Sequence, residues 1–556
     1  MIKVTKLNRN LLLVLAVVLF LCVEFHISSE TELSGGNYGR YLDSLWARQI
    51  VSSGRIGQNP FPTAPSLFSN ANGYAFNLMP AATLALLNIL AGFDVLQAQI
   101  TPLYGVLFLL SVFLAASALY RGRPLMAILT VALSCFFVYT VNQDAREVNR
   151  IILFYGLLNL FLYSFIISRT RPSISVKALE LFFAVSAIFA YSSSAVSAIV
   201  FVGLLSLADA YRTRRPLASG TGMIYGAACL SYYLLVTGFL VGGLAAFKQV
   251  LDTRGFSFET WLFTAPGVWP AQLVYVPSYS AVDWFFLLYP FAVLGVLLAV
   301  STYLRIRRWR RERYIEVYDE VLVSFIGFMA FVVIFNSLAL FPSAGLDYIS
   351  IFGLLAPILC VYPFSVFFKR AADDDTINST VGGERERSDS QQVGRRLDVR
   401  SPFLGKETIA VCVVALALVT GTIGIFHYSD LGPRVGEQVG SAEISAAKWL
   451  LGKDVVVSSD LHFVSTYVTL GGTSARHFLP MDANLSAIRA IYYDANTSFL
   501  AAKGVTVFVV TRSMESSYIT HFVGTRTLPN RELSAEYGAQ WNAIYDNGLQ
   551  TIFSAP

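Results

Sequence analysis

The chain has 556 residues, of which 55% are hydrophobic and only 14% charged, with a formal net charge of +5. A soluble globular protein carries about 25% charged residues, so this composition excludes water as the solvent for most of the chain and points to lipid. Lys and Arg fall in short clusters between apolar runs, which excludes a nucleic-acid footprint and reads as topology signals.

The cysteines are Cys22, Cys135, Cys229, Cys360 and Cys412. All lie within apolar runs and none forms a CxxC pair, so neither a disulfide framework nor a zinc site is indicated.

In chain order, Lys3, Lys6 and Arg9 precede an apolar run at 11–23 that has no small-residue cleavage site after it. This reads as a first transmembrane helix with a cytoplasmic N-terminus. A spanning helix needs about 20 apolar residues. Segments 11–27, 98–119, 124–141, 151–167, 219–243, 282–303, 320–341, 348–368 and 407–427 meet that need. Two others are ambiguous. Segment 74–92 contains Asn77, Pro80 and Asn88, and 178–208 is either one helix or two short ones broken at Tyr191-Ser192-Ser193-Ser194.

Loop charge decides between these options. If 74–92 does not fully cross and 178–208 crosses twice, then Arg121/Arg123, Arg169/Arg171/Lys177 and Arg212/Arg214/Arg215 all face the cytoplasm, together with the basic run 305–313. The positive-inside rule prefers that arrangement. The result is an α-helical polytopic membrane protein with about 11 transmembrane helices over 1–429. It has exterior loops at 28–97 and 142–150, and a cytoplasmic loop at 369–405 whose Ser, Gly and charge content predicts disorder.

Residues 430–556 are more polar and alternate between helical and strand-like segments, which predicts a small exterior α/β domain. Helices are expected at 442–451 and 485–503, and strands at 454–458 and 505–511. A hairpin is expected between 541–545 and 550–553, with Asp546-Asn547-Gly548 forming a type I′ turn. Asn484-Leu-Ser and Asn496-Thr-Ser are sequons on the exterior side, and Asn378-Ser-Thr lies on the cytoplasmic side.

Polar chemistry collects in the exterior loops. Glu30 and Glu32 follow the first helix, and an amphipathic stretch at 41–51 comes next, where Arg40, Asp43, Arg48 and Gln49 alternate with Leu42, Leu45, Trp46 and Ile50. Such a segment suits the membrane interface and ends at Gly54. The second loop carries Asp144, Arg146, Glu147, Asn149 and Arg150 between two apolar helices. A carboxylate at the membrane edge is costly unless paired, so an ion-paired cap is the structural reading of this loop beside a functional one.

This layout resembles the GT-C class of membrane glycosyltransferases, within the protein-mannosyltransferase-like superfamily that uses polyprenyl-phosphate sugars. That family places an acidic residue after the first helix, an interfacial helix behind it, and a second acidic motif in the next exterior loop. The positions here are Glu30/Glu32, residues 41–51, and Asp144/Glu147. The chain differs in having Glu-x-Glu where aspartate is common, and Leu346-Asp347-Tyr348 where an arginine is expected.

The resemblance implies transfer of a sugar from a lipid-linked donor to a glycan, lipid or protein acceptor of the cell envelope, at the outer face of the cell membrane. Glu32 or Glu30 would be the general base. Arg40, Arg146, Arg150 and Arg254 would meet the lipid phosphate. Asp144 and Glu147 would orient the acceptor or hold a divalent metal such as Mg or Mn. Membrane lipids are the other expected partner, and nucleic acid is not one. Two rival functions fit the hydropathy: a secondary transporter or lipid-linked glycan flippase, and a non-catalytic scaffold that displays the C-terminal domain. The absence of a convincing internal repeat and the scarcity of charge within the helices weigh against transport.

Overall fold

The computed structural model describes residues 38–55, 78–95, 103–121, 123–141, 150–214, 220–232, 281–312, 315–337, 348–366, 439, 441–471, 475–479, 485–515, 518–521, 524–527 and 533–556. The expected spans at 11–27 and 407–427 and the loop 369–405 lie outside them, as do Asn378 and Asn484.

An apolar helical bundle occupies the first two thirds of the chain. Its helices are α1 (Tyr38–Ser53), α2 (Leu78–Ala91), α3 (Leu103–Leu119), α4 (Pro124–Val141), α5 (Arg150–Thr170), α6 (Ile174–Ala190), α7 (Ser192–Thr213), α8 (Thr221–Ser231), α9 (Ala281–Glu312), α10 (Val317–Ser337) and α11 (Tyr348–Cys360). Among the described residues, Ile151–Thr170 and Val317–Ile334 are long and apolar enough to cross a membrane, and Leu103–Leu119 and Ile351–Val366 are shorter apolar helices. Leu90, Phe182, Val296, Val323, Val333 and Ile334 are all exposed on the bundle surface. An outer surface this apolar is what lipid solvation favours.

The two ambiguous segments have physical explanations. Helix α2 has 14 residues, about 21 Å at 1.5 Å per residue, short of the roughly 30 Å of hydrocarbon. It stops at Gly92, whose φ of 70° closes the last turn with a bond from its N–H to the Asn88 carbonyl. Segment 178–208 is two helices, because Tyr191 takes extended angles (φ −151°, ψ 100°) between α6 and α7.

Helices α6 and α7 run antiparallel, since the start of one and the end of the other share a polar network. Ser168 on α5 donates to Glu180 on α6 (3.1 Å), and Lys177 bridges Glu180 (2.7 Å) and Thr221 of α8 (2.6 Å). Arg169 pairs with Asp209 of α7 at 2.7 Å, and Arg212 pairs with Glu320 of α10. Arg305 of α9, almost fully buried, donates to Asp319 (2.6 Å), Glu316 (3.0 Å) and the Tyr362 hydroxyl (3.1 Å). Arg123 donates to the Ser365 carbonyl at 3.0 Å, and the Tyr120 hydroxyl to that of Ile358 at 2.6 Å. These contacts bring Arg123, Arg169, Lys177, Arg212 and Arg305, at least one from each of the four basic clusters, to one end of the bundle.

The C-terminal unit is α/β. Helix α12 (Ser441–Leu451) precedes β1 (Val457–Ser458), α13 (Leu461–Gly471), β2 (His477–Phe478), α14 (Leu485–Tyr492), α15 (Thr497–Ala502) and β3 (Val507–Thr511). There follow α16 (Arg512–Glu515), a β4–β5 hairpin (Tyr518–His521, Gly524–Thr527), α17 (Leu533–Gly538), β6 (Asn542–Asp546) and β7 (Gln550–Ser554). The main sheet has the order β2-β1-β3-β7-β6. Strand β1 pairs in parallel with β2 and β3, while β7 is antiparallel to β3 and β6.

Alternation along β3 and β7 sorts the core. Val507, Val509 and Ile552 pack against α12 and α13. Phe508, Val510 and Phe553 pack against α14, α15 and α17.

Three local expectations are corrected. The helix expected at 485–503 is interrupted, because Ala495 takes a positive φ of 43° and the Asn496 side chain caps α15 by accepting from the Phe499 N–H. The strand expected at 454–458 pairs only at Val457–Ser458. The β6–β7 turn is not type I′, since only Gly548 (φ 78°) enters the left-handed region. Asn547 instead holds a longer loop, its side-chain oxygen accepting from the N–H groups of Leu549 (3.1 Å) and Gln550 (2.8 Å).

Candidate functional site

Helix α1 organises the bundle end opposite the arginine network. Its alternating sequence gives it two buried faces instead of one. Ala47 joins the bundle core with Leu84 and Ala85 of α2, while Trp46 packs on Ala81. Leu45 belongs to the core of the C-terminal unit, with Val464, Tyr467 and Val468 of α13. The helix expected to lie at an interface is therefore clamped between two layers. It ends where expected, at Gly54, whose φ of 64° and N–H bond to Ile50 close the last turn.

Arg48 fastens this clamp. Its guanidinium donates to the backbone carbonyl of Thr469 in the last turn of α13, and it lies 3.4 Å from Asp94 beyond α2. A cation at a helix C-terminus meets the negative end of the dipole and a carbonyl without an intrahelical partner. Asp43 and Ser44, one turn earlier on α1, are buried as well, and Tyr104 at the start of α3 adjoins Asp43 and Thr83.

Helices α3 and α5 lie side by side with their starts level. Phe108 and Tyr155 rings are 5.8 Å apart, and Gly156 faces Leu107. The first turn of α5 therefore sits at the same end as α1 and Tyr104. The starts of α1 and α5, the described segments that follow the two acidic loops, therefore lie at one end of the bundle, and the C-terminal unit packs on α1 there.

Of the residues singled out from sequence, Glu30, Glu32, Asp144, Arg146, Glu147 and Arg254 lie outside the described residues. Arg40 falls in the first turn of α1, and Arg150 opens α5. Among the described residues, no group of three or more His, Cys, Asp or Glu converges on a metal position.

Sequence reasoning missed a polar cluster in the C-terminal unit. Glu443 on α12 and His462 on α13 meet at 3.0 Å (Oε1 to Nδ1), both buried. Asp460, fully buried, caps α13 by accepting from the Phe463 N–H at 3.0 Å. The loop Ser459–Asp460 leaves the carboxyl end of β1. Crossovers from this strand side go to β2 in one direction and onward to β3 in the other, so β1 and β3 flank the switch point of the sheet. A strand followed closely by Ser-Ser-Asp and a helix is the local signal that would have found it.

Burial holds His477, on β2, below the ordinary histidine pKa, with a bond to the Ala475 carbonyl (3.0 Å) opposing that shift. The ring is neutral near pH 7 and carries its proton on Nδ1. Burial pushes the phenols of Tyr467 and Tyr537 up; Tyr467 packs in the core and Tyr537 donates to the Ile491 carbonyl at 2.9 Å. Neither phenol is a base candidate.

The fold is that of the GT-C-type membrane glycosyltransferases. Archaeal oligosaccharyltransferase AglB from Archaeoglobus fulgidus, solved in complex with an inhibitory peptide and a dolichol-phosphate, superposes with a TM-score of 0.56 at 12% identity, covering 91% of this chain and 69% of that one. The apo form of the Archaeoglobus fulgidus oligosaccharyltransferase gives 0.59 at 12% identity, covering 92% and 70%. ArnT from Cupriavidus metallidurans bound to undecaprenyl phosphate gives 0.50 at 13% identity, covering 98% and 97%. No family model matches the chain, and no curated protein matches it in sequence.

Proposed function

We propose that this protein is a polytopic membrane glycosyltransferase that moves a sugar from a polyprenyl-phosphate-linked donor to a cell-envelope acceptor. The observation that carries the reading is the clamping of α1 between bundle and C-terminal unit, which brings the segments next to Glu30/Glu32 and Asp144/Glu147 to one end of the molecule. The fold shared with a dolichol-phosphate complex and an undecaprenyl-phosphate complex supports the donor class.

The arginine network marks the cytoplasmic end, so the transfer end faces outward and the N-terminus lies inside. Residues 1–429 form the membrane part, and 430–556 cover the site and meet the acceptor. Glu32, with Glu30 as its neighbour, takes the proton of the acceptor hydroxyl or amide. The acceptor then attacks the anomeric carbon, whose bond to the phosphate oxygen breaks with inversion. The lipid phosphate leaves with the electron pair. Arg40, Arg146, Arg150 and Arg254 meet its growing charge. Asp144 and Glu147 are hard oxygen donors of the kind that Mg or Mn prefers.

The test is transfer and binding by the purified protein with a polyprenyl-phosphate sugar. Glu30→Gln with Glu32→Gln is expected to keep saturable binding and lose turnover by 10²–10⁴-fold, the range of general-base catalysis. Arg146→Ala is expected to weaken binding. Full transfer by the double glutamine variant removes the assigned base. Absence of binding to any lipid-phosphate donor removes the donor class and favours transport.

A further inference from the structure

Helix α9 is 32 residues long, about 48 Å, against roughly 30 Å of hydrocarbon. About twelve of its residues therefore extend past the hydrocarbon. Its last three turns sort into three faces. Ser301 and Arg305 are buried, and Arg308 leans on Glu316 at 3.2 Å. Tyr303, Ile306 and Trp309 form an exposed arc, 47–63% open. Arg307, Arg310 and Arg311 form the adjoining arc at i, i+3 and i+4. These three are exposed, and among the described residues none has a carboxylate or hydrogen-bond partner.

The contrast along one helix is chemical. Two of its five arginines complete an internal network and three do not. The unpaired three stand beside an aromatic-aliphatic strip at headgroup depth, where Trp and Tyr are favoured. Exposed Arg121 reaches Glu316 (3.8 Å), the carboxylate that also holds Arg305 and Arg308 on the neighbouring face, so that carboxylate is already engaged. Guanidinium forks match phosphate oxygens in bidentate geometry.

We infer that the outer face of Tyr303–Arg311 on α9 is a binding site for an anionic phospholipid of the inner leaflet. The three free guanidiniums hold its phosphate, and Ile306 and Trp309 lie against its acyl chains. This rests on the membrane reading above but not on catalysis, since it lies at the end opposite the transfer site. Each arginine near an anionic surface strengthens association by about fivefold, so removing three weakens it on the order of a hundredfold.

The test reconstitutes the full chain in lipid nanodiscs of phosphatidylcholine alone or with phosphatidylglycerol. Retained phosphatidylglycerol is counted by native mass spectrometry, and the thermal midpoint is followed alongside. The wild type is expected to retain phosphatidylglycerol selectively and to unfold at a higher temperature with it. The variant R307Q/R310Q/R311Q is expected to lose most of both effects, and the matching Lys variant to keep most of them. Glycerol phosphate in solution is expected to have no effect. Equal lipid retention by wild type and the Gln variant overturns the site, as does an equal midpoint shift from glycerol phosphate. Failure of the chain to enter nanodiscs would instead count against the membrane reading. Unchanged sugar transfer by the Gln variant separates this site from the transfer end.

Discussion

The guanidinium of Arg48 donates to the carbonyl of Thr469, joining residues 421 positions apart and tying the first loop's helix to the C-terminal unit. The bond meets the C-terminal end of α13, and Leu45, one turn earlier on α1, is part of the same core. Arg48→Met keeps much of the apolar stem and removes the charge. It is expected to cost about 1.5–3 kcal/mol, the range for a hydrogen bond to a charged group. Limited proteolysis between the bundle and the C-terminal unit should accelerate. Asp94→Asn should cost under about 1 kcal/mol, because that pair is exposed. Equal effects from the two substitutions would mean that the Asp94 pair, not the helix-end contact, holds the clamp.

The buried arginine at the other end is a larger liability. Arg305 touches Asp319, Glu316 and Tyr362 with only 3% of its surface exposed. Breaking a buried pair from one side strands the remaining charge, at about 3–5 kcal/mol. Asp319→Ala is expected to lower the yield of folded protein and the thermal midpoint steeply. Arg305→Met combined with Asp319→Leu should lose less than the sum of the singles. A double-mutant cycle in detergent measures this, and strict additivity would mean that the two side chains do not interact.

Much of this architecture is legible in the sequence because it rests on two strong signals. Runs of about 20 apolar residues mark the helices, and basic clusters mark their ends. Tyr191-Ser192-Ser193-Ser194 announces a break because it interrupts an apolar run, and the structure breaks there. Partnership is not legible. Asp43 reads as the wet side of an interfacial helix, yet it is buried, as is its neighbour Ser44, because α1 packs against the bundle as well as the C-terminal unit. The short strand β2 and the β4–β5 hairpin carry too few apolar residues to stand out, and Asp460 looks like a loop residue until β1 and α13 close around it. The carboxylates of the first two loops are readable only as types at expected places.

Close helix approach makes a third expectation. Gly222 on α8 donates its N–H to the Ser206 hydroxyl of α7 at 2.8 Å, and a methyl group there would stand 2.6 Å from that oxygen and 3.1 Å from the Val202 carbonyl. Small residues at such contacts let apolar helices pack where no hydrophobic force separates them from lipid. Gly222→Ala should cost about 1–3 kcal/mol by overpacking. Adding Ser206→Gly, which opens the space, should recover part of it. A midpoint for Gly222→Ala equal to the wild type would show that α7 and α8 can part without loss.

The last expectation concerns pH and the C-terminal unit. His477 is held neutral by burial, with its pKa below the unfolded value of about 6.5. Above that value both folded and unfolded chains carry a neutral ring, and this residue adds no pH dependence. As pH falls through 6.5, the unfolded chain takes up a proton that the folded chain does not, so stability declines until the folded pKa is reached. His477→Asn, which retains an amide donor for the Ala475 carbonyl, removes that proton uptake. The difference in thermal midpoint between wild type and His477→Asn should therefore be constant above about pH 7 and should move against the wild type as pH falls below about 6.5. A difference that stays constant across the whole range would mean the ring titrates alike in both states, and that the space around β2 is open to water.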